Sequence, residues 1–359
     1  MLSETFKLHT ALMDLFSDEG SADQVTRRLG GQEVGRVEPA PCDPGLRDLA
    51  ARLPSLLHMG TSSWSFPGWK GLVWSGDQSV SQLSRNGLAA YSSHPLLRSV
   101  SLDRAFYRPL SASEYAAHAA QVPESFRFVV KAPSLVCDAL VRGADGRARQ
   151  DNPAFLDPGL AARDFVEPAL AGLGSRTGAL VFQLSPLPAS WLDRMDELLD
   201  RLGRMLAALP KVEPSAPGAV VAVEVRNPEF LTPAFAAVLK AAGATYCLGL
   251  HPRMPPVAEQ LPMLRALWPG PLVCRWSLNR MHGAFGYEEA KGLYEPFHRL
   301  VDPDPATRQA LARVIAGTAG AGFPVYVTIN NKAEGSAPMS VIELGREVDR
   351  MVSGATADT

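Results

Sequence analysis

Scarcity narrows this chain before any motif does. Of its 359 residues only four are cysteine and only seven are lysine, although Lys and Arg together number 35. Cys42, Cys137, Cys247 and Cys274 are scattered with no C-x-x-C pair, which excludes the common zinc and redox spacings. Cys247 and Cys274 lie inside apolar, strand-like runs, so buried, reduced thiols are expected. Nowhere do about eighteen apolar residues run together, which excludes a membrane-spanning helix as a sequence expectation. The opening MLSETFKLHTALMDLF mixes acids with bases and has no long apolar core, arguing against a signal peptide and for a cytoplasmic protein. An excess of charge of one sign is missing too. At a formal net charge of −2, no global field draws the protein to an anionic membrane or to nucleic acid; a local basic pocket stays open, so nucleic acid is not excluded.

Several motifs are absent as well. There is no G-x-x-x-x-G-K-S/T, no H-E-x-x-H and no G-x-S-x-G. The GLGSRTG stretch (172–178) precedes a strand-like run, whereas a dinucleotide-binding loop must follow one.

What is present is a rhythm. Hydrophobic residues make up 46% of the chain, enough to fill a sizeable core. Eight short apolar runs recur: LLHMGTSSW (56–64), RSVSLDRAF (98–106), FRFVVKA (126–132), GALVFQLS (178–185), AVVAVEVR (219–226), ATYCLGLH (244–251), LVCRWSLN (272–279) and VYVTINN (325–331). They are more continuous than alternating, as expected of parallel strands buried on both faces. Helical patterns separate them. SASE (111–114) reads as a capping box, WLDRMDELLDRLGRML (191–206) has apolar residues at helical spacing, and Asp304 with Pro305 reads as a helix start. Strand and helix alternating eight times over about 300 residues predicts an α/β protein, a (β/α)8 TIM-barrel-like single domain over 56–352. A doubly wound open sheet is the alternative. Residues 1–55 read as an N-terminal extension or arm, with helical patterns near 5–16 and 46–53, and 353–359 as a disordered tail. The long segment 134–153 is either a loop covering the site or a disordered insertion.

The runs end in polar residues. In a parallel barrel the carboxyl ends of all strands open into one mouth, where active sites are built. Asp103, Lys131, Gln183, Glu224, Arg226, His251, Arg275, Asn330, Asn331, Lys332 and Glu334 all fall at such ends, with Trp64 and Tyr107 as aromatic neighbours. Glu224 and Arg226 are two apart, hence on one face; they are an ion pair closing the barrel or a reactive pair. For Lys131 the alternatives are an ion pair with Glu224 or Asp103 and a functional amine. Gln183 and Asn330 could instead satisfy backbone groups, and Trp64 could be a core anchor. KAEGSAP (332–338) is a tight turn or an anion-binding loop. Asp103, Glu224 and His251 could converge on a divalent metal, but no spacing demands one, and no cofactor is expected.

Together GTSSWSFPGWKGLVW (60–74), AFYRPLSASEY (105–115), PESFRFVVKAP (123–133), LVFQLSP (180–186), VAVEVRNPEF (221–230) and VYVTINNKAEGSAP (325–338) resemble the YecE-like family (domain of unknown function 72) over about residues 56–345. The resemblance implies a TIM-barrel-like fold with a polar pocket at Lys131, Gln183, Glu224, Arg226, Asn330 and Asn331, and no established activity. Two segments depart from the family pattern: Ser101 and Asp103 stand for its usual Glu and Asn, and Asn227 and Phe230 for its usual His and Trp.

The expected function is an enzyme for a small anionic or polyhydroxylated substrate, with catalytic Glu224, Lys131 and Asp103. Glu224 would serve as general acid or base. Arg226, Arg275, Gln183, Asn330, Asn331, Trp64 and Tyr107 would bind the substrate, and a desolvated Lys131 admits Schiff-base chemistry. A metal-dependent phosphoester or nucleic-acid enzyme and a non-catalytic ligand-binding module are the alternatives.

Overall fold

The computed structural model describes residues 35–143 and 148–357. Eight parallel strands close into a barrel: β1 (Leu57–Thr61), β2 (Ser99–Leu102), β3 (Arg127–Lys131), β6 (Thr177–Gln183), β7 (Val220–Glu224), β8 (Thr245–Leu250), β9 (Leu272–Trp276) and β10 (Val325–Ile329). They neighbour one another in chain order, and β10 pairs back onto β1 from Leu57↔Val325 to Thr61↔Ile329. Closure rules out the open sheet.

The segment expected as a long loop is in fact built. It holds a turn of helix (Ser134–Cys137) and an antiparallel hairpin of β4 (Leu140–Arg142) and β5 (Ala148–Asp151). The Asn152 amide pins this hairpin by donating to the Leu135 and Asp138 carbonyls at 2.8 and 2.7 Å.

Helix starts follow the sequence signals. Ser111 and Glu114 form the expected capping box, and Asp304 caps the Pro305–Gly320 helix through the Thr307 N–H at 2.9 Å. Residues 35–55 are not a free arm. The Pro44–Arg52 helix buries Leu49 and Ala50, and Arg52 bridges to Asp349 at 2.8 Å on the last helix, Ala337–Ala357. That last helix also runs through the described part of the segment expected as a tail. The helical pattern at 5–16 lies outside the described residues.

Side-chain parity divides the barrel into an apolar plug and a polar floor. Val129, Ala179, Val181, Ala222, Cys247, Val273 and Tyr326 face inward and pack on one another, while a larger core fills the space between sheet and helices. The next inward positions toward the carboxyl ends are Lys131, Gln183, Glu224 and Arg275, because residues two apart on a strand share a face. Among the described residues no helix is long and apolar enough to cross a membrane.

Candidate functional site

The floor of the mouth is a charge network drawn from four strands. Glu224 has no exposed surface and accepts from both arginines: Arg226 on one oxygen, and Arg275 Nη1 on the other at 2.7 Å. Arg275 Nη1 also donates to Gln183 Oε1 at 3.0 Å, and its Nη2 makes a bidentate contact with Asp103 at 2.8 Å to each oxygen. Ser101 donates to Asp103 at 2.6 Å, and Arg226 Nη2 reaches Gln183 Oε1 at 3.3 Å. Both arginines are buried, so these contacts act in a low dielectric where charge pairs are strong and unpaired charges costly.

These bonds reassign two of the sequence expectations. Burial alone would raise the Glu224 carboxyl, but the Arg226 and Arg275 guanidinium groups overcome it and hold it down at about 2. A carboxylate that is fully buried, doubly paired and ionised at all ordinary pH neither reaches a substrate nor carries a proton near neutrality. Glu224 is therefore a positioning residue for the arginines, and the expected acid–base role does not fit it. Arg275 is likewise occupied: burial opposes its charge, yet Asp103 and Glu224 push its pKa upward, and both terminal nitrogens are spent on protein oxygens. It is a strut: each of its terminal nitrogens meets two protein oxygens, whereas Arg226 Nη1 is spent on Glu224 and the Val225 carbonyl but Nη2 makes a single contact, at 3.3 Å to Gln183, and so has a second N–H to offer.

Lys131 is different. It is half-buried, and its Nζ stands 3.4 Å from the centroid of the Phe106 ring, a cation–π contact. Desolvation lowers its pKa to about 8, with the field of Asp103 acting upward and that of Arg275 downward. The ion pair with Glu224 or Asp103 expected as an alternative is not formed among the described residues; both carboxylates are taken by arginine. Asp103 keeps a third of its side chain exposed.

A tyrosine rim stands above this floor. Tyr107 is 52% exposed and Tyr287, on the Tyr287–Tyr294 helix, 44%. Burial of the phenol groups, then each ring's neighbours, Asp103 among them, push both up to about 12, so both are neutral donors at ordinary pH. The Asn330 side chain hydrogen-bonds Tyr287 and accepts from the Lys332 N–H at 3.0 Å. Lys332 lies 4.1 Å from the Tyr287 ring centroid; desolvation, partly offset by Glu288, lowers it to about 8.

Other expected site residues point elsewhere. Asn331 opens a tight 3-10 turn (Asn331–Ala333) that reverses its direction, and its Oδ1 accepts from the Trp69 indole at 3.2 Å and from the Ala337 N–H at 2.8 Å. Trp64 is buried and donates to the Leu83 carbonyl at 2.9 Å, so it anchors a loop. Glu334 is fully buried behind the barrel and accepts from the Asp304 N–H at 2.6 Å. The KAEGSAP loop is a closed turn, since the N–H groups of Lys332, Ala333, Gly335 and Ala337 are all spent on Asn330 and Asn331.

The Asp103, Glu224 and His251 trio does not form a metal site. Two of its members are bound by arginine, and the third, His251, accepts from the Arg253 N–H at 3.1 Å. Among the described residues no cluster of three or more His, Cys, Asp or Glu could hold a metal ion. Gly249, like Tyr287, is a position at the mouth that sequence reasoning did not single out. A Cβ there would stand 3.3 Å from Arg226 Nη1 and 3.5 Å from Glu224 Oε1, so the glycine makes room for the guanidinium. Its signal was a glycine inside a strand. A cavity of about 790 Å³ lies at the opposite end of the barrel among Leu206, Val220, Ala244, Trp268 and Pro271, away from every group described above.

Comparison with known proteins agrees with this architecture. A comparison with curated proteins returned no match. Among solved structures, a DUF72 family protein from Thermotoga maritima is 19% identical, with a TM-score of 0.51 over 82% of this chain and 99% of that one. Another, from Enterococcus faecalis, is 16% identical, with a TM-score of 0.51 over 82% and 95%. At such identities the likeness shows the fold. The family model described as "Protein of unknown function DUF72" matches residues 58–358, and the chain therefore belongs to the DUF72 family.

Proposed function

We propose that the barrel mouth is the active site of an enzyme for a small anionic substrate. Lys131 moves a proton there, assisted by Asp103; Arg226, Gln183 and Tyr107 bind and orient the substrate; Glu224 and Arg275 hold those groups in place. The observation that carries this reading is an imbalance of charge. Three cations, Lys131, Arg226 and Arg275, face two carboxylates, Asp103 and Glu224, and the arginines take both carboxylates. A half-buried ammonium is left with an aromatic ring as its partner. An anion would complete the set, and fixed cations in a desolvated site stabilise charge that develops in a transition state. Free donors support the same reading, since Gln183 Oε1 faces the arginines and leaves its amide N–H groups for hydroxyls of a substrate.

The test is a thermal-shift panel of phosphate, small carboxylates, sugar phosphates and neutral sugars, on the wild type and on Lys131→Met. Ligand at a hundred times its dissociation constant stabilises the native state by about 2.7 kcal/mol. Stabilisation by one anionic class, lost in the variant, is expected. Stabilisation by neutral sugars alone would refute the proposal.

A further inference from the structure

We propose that Lys131 is a covalent nucleophile that forms an imine with the carbonyl group of a small substrate whose negative group is held by Arg226; this rests on the anion-site reading above. The geometry supplies what such a lysine needs. Its amine lacks a carboxylate partner among the described residues, so no ion pair holds its nitrogen in the charged form. The Phe106 face packs against it at 3.4 Å and excludes water from one side. Burial is the main influence opposing protonation of the amine; the positive charge of Arg275 and Arg226 on the same floor acts with it, and Asp103 and Glu224 act against it without reversing the result. Asp103, whose field on Lys131 is the strongest of the neighbouring charges, is on hand to shuttle protons and keeps part of its surface open to the mouth.

The step balances without any oxidant or reductant. The neutral amine attacks the carbonyl carbon and forms the C–N bond, while the C=O π pair moves to oxygen, which takes a proton. As the C=N bond forms, that oxygen leaves as water, carrying off both protons that the amine nitrogen gives up. The imine nitrogen then takes up one proton from solvent, and the resulting iminium withdraws electrons from the neighbouring carbon, so proton abstraction or bond cleavage beside the former carbonyl becomes accessible. The substrate class that fits is a short carbonyl compound with a carboxylate or phosphate a few bonds away, such as a 2-oxo acid.

The chain carries its own internal controls. Lys332 is also desolvated and also sits on an aromatic ring, but it lies behind Tyr287 and away from the arginines. Lys70 and Lys291 are more exposed and carry carboxylate partners. A nucleophilic site distinguishes Lys131 from all three.

The experiment treats the full chain with glyoxylate or pyruvate and a hydride reductant, then maps adducts by mass spectrometry. Acetate, which has the charge but no aldehyde or ketone carbonyl, is run beside them in a thermal-shift assay. One adduct per chain at Lys131 is expected, with a rate that climbs as pH rises through about 8, where this amine loses its proton. Lys131→Arg should keep the stabilisation by acetate and lose the adduct, which separates chemistry from folding. Adducts on Lys332, or spread over the exposed lysines, would overturn the proposal. So would absence of an adduct at Lys131 while acetate and pyruvate both stabilise the protein, an outcome that leaves the anion site standing. No stabilisation by any of them and no adduct would sink both.

Discussion

Glu224→Gln removes one negative charge and leaves the rest of the side chain in place. In the native protein this carboxylate faces two buried guanidinium groups, Arg226 on one oxygen and Arg275 on the other at 2.7 Å. Its carboxyl is held at about 2 against an ordinary 4.5, because the two arginines outweigh the cost of burial. At 1.36 kcal/mol per decade that difference corresponds to about 3 kcal/mol favouring the ionised form in the folded state. Removal of one partner from a buried pair elsewhere costs about 3–5 kcal/mol, so the two routes agree. With an unfolding entropy of about 2.1 cal/mol/K for each of roughly 300 residues, a loss of about 3 kcal/mol lowers Tm by about 5 °C. The sign with pH follows from the depressed folded value. The contribution is complete above the unfolded carboxyl value near 4.5 and fades as pH falls from there toward 2. Chemical denaturation of wild type and variant at pH 7 and at the lowest pH where both fold measures this directly. The gap should be full at pH 7 and shrink in acid. A variant as stable as the wild type at pH 7 would refute the assignment of Glu224 as the arginines' anchor.

Further predictions follow from the same geometry. Lys131→Met removes a half-buried ammonium that has no carboxylate partner, so stability at pH 7 should hold or rise in a denaturant titration. In the wild type, the folded Lys131 sheds its proton near 8 and the unfolded one near 10.5, so the unfolded chain binds more protons between them and this residue's contribution rises with pH there; Lys131→Met should lack that slope. Gly249→Ala places a Cβ 3.3 Å from Arg226 Nη1, at the flexible end of a side chain; a stability loss under about 1.5 kcal/mol is expected together with a weakened anion-induced thermal shift. Asn331→Ala strips an acceptor from the buried Trp69 indole and the Ala337 N–H, costing about 2–3 kcal/mol in denaturation while leaving the anion response intact.

Much of the barrel was legible because it is encoded locally. Each strand is a short apolar run, each helix carries its own punctuation, and parallel strands repeat the pair eight times. Lys131, Gln183, Glu224 and Arg275 were legible as polar residues at strand ends, and the strand register sets all four on the inner face. The division of labour among them was not legible, since it depends on which oxygen meets which guanidinium across strands far apart in the chain. Arg275 and Asp103 are separated by 172 positions yet share a bidentate contact. Parity also fails where the strand stops: the 3-10 turn after β10 rotates Asn331 and Glu334 into the interior behind the barrel. Tyr287 gave no local signal, because it reaches the rim from a helix that the loop after β9 folds back over the mouth.

The central claim is that Lys131 leaves the mouth short of one negative charge. Calorimetric titration of the anion class that stabilises the protein, into the wild type and into Lys131→Met at pH 7, tests it most directly. Saturable binding at one site per chain is expected in the wild type, with at least a tenfold loss of affinity in the folded variant, about 1.4 kcal/mol. Equal affinity in the two proteins would place the anion elsewhere and contradict the account.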